Sequence, residues 1–192
     1  MSPRTKEQNE AIREQTRQQI IDAAFLEFAN EGYSRTSIAT VAKKAKVSKG
    51  LIYHYFGSKE EILEAIFDQL VEMGHQMTSY PDDFTARDKI KQIIEQTFDF
   101  IEHQSNVGKL MVGLAMQRDA FTALKSKLDY IQQEQMTLYS NIMKELGFDQ
   151  PTLEAYELGA TLDGILLGHV SLGEDYPLQA MKQKLLDEYV QK

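Results

Sequence analysis

Apolar residues recur along most of the chain with the period of an α-helix, and no stretch alternates over a useful length with the period of a strand. The pattern predicts helices over about residues 10–30, 58–77, 86–103, 106–116, 119–146, 152–172 and 177–190, with two short helices between Thr36 and Phe56. Gly32, the linker Ser79–Asp83, and Gly147 with Pro151 mark helix ends. The sequence therefore predicts an all-α protein of about nine helices.

The stretch from Thr36 to Lys59, TSIATVAKKAKVSKGLIYHYFGSK, predicts two short helices joined by a tight turn. Ser37 and Ser48 are suitable N-caps for these helices, and Ala45–Val47 forms the turn. The stretch holds five lysines and no Asp or Glu. A basic helical hairpin of this kind suits a polyanion. The alternative is an ordinary helical hairpin with a solvated basic face.

The helices on either side of this hairpin are expected to supply the packing that it lacks. The preceding helix carries one apolar stripe, and residues 10–57 alone form a unit small enough to be only marginally stable. The following helix begins at Ser58, which is predicted to form a capping box with Glu61. It runs without a break to about Met77, which predicts a rigid connection between the hairpin and the rest of the chain.

Charge divides the chain into a basic head and an acidic body. The net charge is −8, yet residues 1–59 hold ten Lys and Arg against six Asp and Glu, and residues 60–192 hold eleven against twenty-three. This division is expected if only the head meets DNA. The start of the chain is polar, no apolar run approaches a membrane span, and there is no cysteine. We therefore expect a cytoplasmic protein without a membrane partner.

Enzyme chemistry finds no support in the sequence. The four histidines, at positions 54, 75, 103 and 169, have no metal-ligand spacing. There is no glycine-rich phosphate loop and no nucleophile motif. We therefore expect neither an enzyme nor a metal site, and no cofactor.

The head also carries a specific string of residues that resembles the TetR family of bacterial transcriptional regulators. The matching residues are Gly32-Tyr33, Thr36-Ser37, Ile38, Val41-Ala42, Ala45, Val47-Ser48, Gly50, Tyr53, Tyr55-Phe56 and Ser58-Lys59-Glu60-Glu61, preceded by Ile20, Ala23, Ala24 and Phe28. One departure is Lys46, since the family usually has glycine in the turn. This lysine adds a positive charge near the expected DNA.

The resemblance implies a ligand-responsive homodimeric repressor. Residues 1–57 would form the helix-turn-helix DNA-binding domain, and residues 58–192 the ligand-binding and dimerisation domain, with 58–77 as the connecting helix. Two recognition helices would enter successive major grooves of a palindromic double-stranded operator, and a small-molecule inducer would move the heads apart. Two alternatives stay open: an activator, or a helical adaptor or ligand-binding protein that no longer binds DNA.

The residues predicted to contact DNA are Thr36, Ser37, Lys46, Ser48, Lys49, Gly50, Tyr53, His54 and Lys59. Ser48 and Lys49 begin the recognition helix, whose N-terminal residues lie closest to the bases in this motif, and Gly50 allows a close backbone approach. Tyr53 and Lys59 are similar to phosphate-contacting residues of the family. Thr36 and Ser37 have two interpretations, phosphate contact or N-capping. Tyr55 also has two interpretations, DNA contact or packing, and Phe56 is expected in the core.

The ligand pocket is predicted from a set of flexible and aromatic side chains that suits an apolar or amphipathic molecule. The set comprises Met73, Met77, Phe98, Met111, Met116, Met136, Tyr139, Met143 and Asp163, with His103, Gln132 and Gln135 as possible polar contacts. The alternative for each is an ordinary core residue. Asp163 is the only charged residue between Leu158 and Leu172, so it must be paired, hydrated or protonated. It would line the pocket or bond a neighbouring helix.

The same helix is expected to form the dimer interface. Its small and apolar residues would let two copies pack closely and, with the last helix, form a four-helix bundle between subunits. The residues predicted for this interface are Leu158, Leu162, Ile165, Leu166 and His169.

Overall fold

The computed structural model describes residues 5–77, 79–115 and 118–191, and over these residues it contains nine α-helices, one short 3-10 turn and no strand. The helices are α1 Lys6–Glu31, α2 Ile38–Lys44, α3 Lys49–Tyr55, α4 Lys59–Met77, α5 Ala86–His103, α6 Ser105–Ala115, α7 Arg118–Glu145, α8 Pro151–Leu172 and α9 Leu178–Tyr189. The predicted all-α fold is confirmed. Met116 and the side chain of Met77 lie outside the described part of the chain.

Most helix ends fall within two residues of the prediction, and α1 is the exception. It begins at Lys6 rather than near Glu10, because Thr5 and Gln8 form a capping box. The Gln8 N–H donates to the Thr5 hydroxyl oxygen at 3.3 Å, and the Thr5 N–H donates to Gln8 Oε1 at 3.0 Å. These bonds satisfy backbone groups that would otherwise be left unpaired at the helix start.

The cap of α4 also differs in detail from the prediction. The Ser58 hydroxyl accepts from the Glu61 N–H at 3.2 Å, as expected. The Glu61 carboxylate accepts from the N–H of Gly57 at 2.9 Å, one residue before the predicted partner.

The chain forms two compact units, and the first contains the described residues up to Leu70 with those from Leu110 to Ala123. Its core brings together apolar residues of the first four helices, Ile20, Ala24, Phe28, Val41, Ile52, Phe56, Ile62, Leu63, Ile66 and Phe67. Phe56 is 4% exposed, as expected of a core residue. Helix α4 contributes four residues to this list, more than any other helix, so it is part of the support that the short hairpin requires.

The second unit contains the described residues Val71–Lys109 and those from Leu124 onward. Helices α5, α7, α8 and α9 surround its core, which is formed mainly by Ile90, Ile94, Phe98, Ile101, Tyr139, Ile142, Met143, Leu158, Leu162, Ile165, Leu185 and Tyr189. Within the described residues, no helix is both long and apolar enough to span a membrane.

Candidate nucleic-acid interface

The hairpin predicted from the sequence is present as α2, a three-residue turn and α3. The Ser37 hydroxyl oxygen accepts from the Thr40 N–H at 3.1 Å, and the Ser48 hydroxyl oxygen accepts from the Leu51 N–H, also at 3.1 Å. Each serine has the extended backbone of an N-cap. The two caps set where each short helix begins, and therefore which side chains each one exposes.

The turn between α2 and α3 is a Schellman motif with a lysine at its left-handed position. The Val47 N–H donates to the Ala42 carbonyl at 3.0 Å, and the Lys46 N–H donates to the Lys43 carbonyl at 3.3 Å. Lys46 has φ 55°, and it is the one non-glycine residue with positive φ in the described chain. A side chain at this conformation costs about 1–2 kcal/mol. The turn geometry of the motif is therefore kept despite the substitution for glycine.

No Asp or Glu occurs between Gly32 and Lys59, so the hairpin itself contributes only basic charge to the surface around α3. Lys43, Lys46 and Lys49 are all exposed. Lys44 differs, because its ammonium lies 3.6 Å from the Glu27 carboxylate. Of the lysines in α2, the turn and α3, Lys43, Lys46 and Lys49 are therefore the ones available to a polyanion.

Residues predicted to contact DNA project from the exposed side of α3. Ser48, Lys49, Tyr53 and His54 are exposed, and Tyr53 retains 50% of its accessible surface. The Lys49 ammonium lies 5.8 Å from the centroid of the Tyr53 ring. These donors and this aromatic ring suit contacts with base edges and phosphates.

Gly50 lies in the same exposed surface and has no role in the packing of its own unit. A Cβ placed there would meet only the Ser48 hydroxyl oxygen, at 4.0 Å. Glycine inside a helix costs about 1 kcal/mol relative to alanine. Neither packing within the unit nor the backbone angle requires glycine at this position, so the surface of α3 is open to a close approach at Gly50.

Thr36 and Lys59, by contrast, direct their polar groups into the unit. Thr36 is 3% exposed, and its hydroxyl lies 3.0 Å from the Gly32 carbonyl oxygen. The Lys59 ammonium donates to the carbonyl oxygens of Tyr33 at 3.0 Å and Thr36 at 3.1 Å. Both side chains therefore hold the connection between α1 and α2. Ser37, next to Thr36, remains exposed.

Tyr33 and Glu60 complete this internal cluster. The Tyr33 hydroxyl donates to Glu60 Oε1 at 3.0 Å, and the Tyr33 ring packs edge-on against Phe28 at 5.1 Å between centroids. Burial and the Glu60 carboxylate raise the pKa of the Tyr33 hydroxyl above its ordinary value of 10.0. The pKa of Glu60 lies below 4.5, chiefly because of a backbone hydrogen bond, and the Tyr33 and Ser58 hydroxyls lower it further.

Two glutamines of α1 further position the hairpin. Gln19 donates to the Ala45 carbonyl at 2.7 Å, which ties α1 to the turn. Gln18 and Gln69 form a reciprocal amide pair with N···O distances of 3.2 and 2.6 Å, which ties α1 to α4. Sequence reasoning missed all three, because a glutamine on a helix surface carries no signal of its distant partner.

Of the residues predicted to bind a ligand, the structure brings four to one core, that of the second unit: Phe98, Tyr139 and Met143 belong to it, and Met136 packs against it. In the second unit Phe98, Tyr139 and Met143 are fully packed core residues, while Met136 and Met73 are half-buried. Met111 belongs to the first unit and is 36% exposed. The Gln135 amide donates to the Tyr139 hydroxyl at 3.0 Å.

Asp163 is exposed to solvent in the single chain, so water can reach its carboxylate. Partial burial still raises the pKa of its carboxyl above 3.8. Of the predicted set, Met136 and the polar candidate Gln132 line a cleft of about 470 Å³ between α7 and α8. The other residues lining it are Asp129, Gln132, Gln133, Thr137, Ser140, Asn141, Thr152 and Tyr156. In the described residues no group of three His, Asp or Glu is arranged to hold a metal ion.

Most residues predicted for a dimer interface lie inside their own unit. Leu158, Leu162 and Ile165 are 0%, 6% and 1% exposed, and Leu166 and His169 are half-buried. The large apolar side chains that α8 leaves exposed are instead Leu153, Tyr156, Leu167 and Leu172. Helix α8 is apolar on nearly all sides, so its pattern alone did not indicate which side faces the core.

Comparisons with known proteins agree with this geometry. Residues 20–66 match the family model described as bacterial regulatory proteins, tetR family. The HTH-type transcriptional regulator BetI of Stenotrophomonas maltophilia is 31% identical over 159 residues, 79% of each chain. A transcriptional regulator from Rhodococcus sp. Rha1 has a TM-score of 0.78 at 21% identity, over 91% of this chain and 96% of that one. FadR from Bacillus subtilis, in complex with stearoyl-CoA, has a TM-score of 0.70 at 25% identity, over 90% and 97%.

Proposed function

Since the chain belongs to the TetR family of bacterial regulatory proteins, we propose that it is a repressor that binds a palindromic operator as a homodimer. A small apolar or amphipathic molecule bound in the second unit releases it from DNA. The observation that carries this proposal is the exposed hairpin surface, which presents Lys43, Lys46, Lys49 and an unobstructed Gly50 from a stretch without Asp or Glu.

In the DNA complex, α3 enters the major groove with its N-terminal residues nearest the bases. Ser48 and Lys49 contact base edges, while Tyr53, His54 and Lys46 contact the phosphates that flank them. Ser37 donates its hydroxyl to a phosphate beside the start of α2. Thr36 and Lys59 act from inside, because their polar groups hold the connection that places Ser37. Because the operator lies on DNA in the cytoplasm, the protein acts there.

Charge favours one orientation of the protein on DNA. The second unit contains ten Lys and Arg against eighteen Asp and Glu, a formal charge of −8, and the first unit contains eleven of each. Phosphates repel the second unit and attract the lysines around α3, so the encounter presents α3 to the groove. The resulting affinity falls steeply with salt, because each phosphate contact releases counterions.

The dimer forms through the apolar side chains that α8 leaves exposed. Leu153, Tyr156 and Leu167 retain 58%, 53% and 51% of their accessible surface. Their spacing places them along one side of α8, opposite the buried Leu158 and Ile165. Two copies related by a two-fold axis cover these side chains mutually, which matches the symmetry of a palindromic site.

The ligand acts through α4, which begins in the first unit and ends in the second. A ligand that displaces the C-terminal half of α4 also moves its first turn. Lys59 and Glu60 lie in that turn, so the displacement reaches the connection between α1 and α2 that they hold. The Bacillus subtilis FadR structure contains stearoyl-CoA, an amphipathic molecule, which supports a ligand of that class here.

The test is selection of binding sites from a random duplex library, followed by titration of the selected duplex at several salt concentrations. We expect a two-fold symmetric sequence and a steep salt dependence. Two half-sites about 10 base pairs apart, or a multiple of that spacing, indicate a dimer. Failure to enrich any duplex would favour the adaptor alternative. In vitro transcription from the selected site then separates repression from activation.

A further inference from the structure

Leu51 differs from the other exposed residues of α3 because its side chain is apolar. It is 36% exposed, while its neighbour Ile52 is fully buried at 0%. The structure therefore leaves a large aliphatic side chain in solvent, on the helix whose remaining exposed side chains are polar or aromatic.

The position of Leu51 on the helix relates it to the approach surface. At 100° per residue, Gly50 and His54 lie on the side of α3 opposite Ile52, and Leu51 and Tyr53 flank that side on its two edges. Gly50 has open space where a side chain would stand. A surface that approaches α3 closely at Gly50 therefore meets Leu51 on one edge and Tyr53 on the other.

The chemistry of Leu51 selects one feature of the major groove. Base edges there present hydrogen-bond donors and acceptors, and the 5-methyl group of thymine is the apolar group among them. Lys49 and His54 can pair with the polar groups but gain little from a methyl group. Burying the methyl group against the leucine side chain is favourable, because both are apolar, and leucine forms no hydrogen bond with a base edge.

The positive charge around Leu51 favours DNA, rather than an apolar protein surface, as the partner that covers it. Lys43, Lys46 and Lys49 are exposed on the same hairpin, and no acidic residue lies between Gly32 and Lys59. An apolar partner would have to desolvate these charges without pairing them, which is costly. Phosphates pair with them directly.

We propose that Leu51 determines operator specificity by packing against a thymine methyl group in the major groove of each half-site. The inference rests on the proposed function, since it requires α3 to enter that groove. It adds Leu51, as a specificity-determining residue, to the base contacts proposed for Ser48 and Lys49.

The test uses the selected operator with each thymine replaced in turn by deoxyuridine, which removes the methyl group and leaves base pairing intact. We expect one position in each half-site at which the wild-type protein loses about fourfold in affinity, the effect of one buried methyl group. At that position Leu51→Ala should bind the thymine and deoxyuridine duplexes equally. Leu51→Met, which keeps an apolar side chain, should retain the difference.

Two results would overturn the inference. One is an operator at which no deoxyuridine replacement changes wild-type affinity, and the other is a methyl effect that persists in Leu51→Ala. Both leave DNA binding by the wild-type protein intact, so they are distinct from failure of the proposed function, in which no operator is enriched. Thermal unfolding and circular dichroism of Leu51→Ala verify that the variant is folded. Leu51→Met, which keeps an apolar side chain, tests the inference independently if Leu51→Ala does not fold.

Discussion

The ammonium of Lys59 is bound to Tyr33 in two ways. It donates to the Tyr33 carbonyl oxygen at 3.0 Å, and it lies 4.2 Å from the centroid of the Tyr33 ring. A second hydrogen bond, to the Thr36 carbonyl, connects the first turn of α4 to the residue before the N-cap of α2. A lysine that resembles a phosphate ligand of the family is thus also the residue that fixes the start of the DNA-binding hairpin.

Lys59→Ala should lower both stability and DNA affinity. Loss of the charged hydrogen bonds should lower the free energy of unfolding by about 1–3 kcal/mol, which urea denaturation measures. Affinity should fall by a similar factor for operator and unrelated DNA, because the side chain positions the hairpin without contacting bases. Lys43→Ala is the matched control: it removes an exposed lysine, so stability should stay within about 0.5 kcal/mol while the salt dependence becomes shallower. An unchanged stability for Lys59→Ala would contradict the internal role.

Gly50→Ala should change stability and DNA binding in opposite directions. The added methyl group meets open space, so the helix should gain up to about 1 kcal/mol in a urea titration. The same methyl group should obstruct the groove, and operator affinity measured by fluorescence anisotropy should fall at least tenfold. Gly74→Ala, in α4, is the control because a Cβ there likewise causes no clash: it meets nothing within 4 Å, and the Cβ at Gly50 meets only Ser48 Oγ at 4.0 Å. It should stabilise the protein and leave affinity for DNA unchanged without ligand. Equal DNA binding by Gly50→Ala would refute the close approach at this glycine.

Two Schellman turns in the described part of the chain, after α2 and after α7, allow a reciprocal experiment. Gly147 occupies in the turn after α7 the position that Lys46 occupies after α2, with φ 86° against 55°. Lys46→Gly should raise the free energy of unfolding by about 1 kcal/mol, because it relieves the left-handed strain. Gly147→Ala introduces that strain and should lower the free energy by about the same amount. If both substitutions destabilise, strain does not govern these turns. The Lys46 variant should also lose DNA affinity, since a charge is removed.

The hydrogen bond between Tyr33 and Glu60 should appear in the pH dependence of stability. The pKa of Glu60 is lowered in the folded state, so its contribution is complete above the ordinary value of 4.5 and is lost as the pH falls through the lowered pKa. Tyr33→Phe removes one cause of the shift. Stability measured by urea titration should therefore decline less steeply between about pH 5 and pH 3. Glu60→Gln, which cannot titrate, is the limiting control, and a Tyr33→Phe slope equal to that of the wild type would exclude the coupling.

Leu167→Lys should separate the dimer without unfolding the protein. Leu167 is 51% exposed in the single chain, so a charge there remains hydrated in the monomer and becomes unfavourable only when a second copy covers it. Sedimentation velocity should show monomers, with the circular dichroism of the wild type. Ile165→Lys, on the opposite side of α8, should instead unfold the unit, because Ile165 is 1% exposed. A stable dimer of Leu167→Lys would move the interface away from this side of α8.

Local chemistry in the sequence determined the helices, the short hairpin and the basic head. Serine caps act within three residues, an apolar stripe repeats within one helix, and the resemblance to the TetR family depends on consecutive residues of the head. These local patterns can therefore be recognised in the sequence without knowing which distant residues pack against them. For this reason the sequence alone predicted one DNA-facing helix that carries Ser48, Lys49, Gly50 and Tyr53. The structure exposes all four, Ser48 as the N-cap of α3 and the others within it.

Only the tertiary structure decided which polar groups are used internally and which side of an apolar helix is covered. Thr36 and Lys59 direct their polar groups inward because carbonyl oxygens 4 to 26 residues away accept their hydrogen bonds, and no local pattern encodes such a partner. Helix α8 is apolar around most of its circumference, so periodicity did not distinguish Ile165 in the core from Leu167 in solvent. The packing of α5, α7 and α9 against one side of α8 makes that distinction.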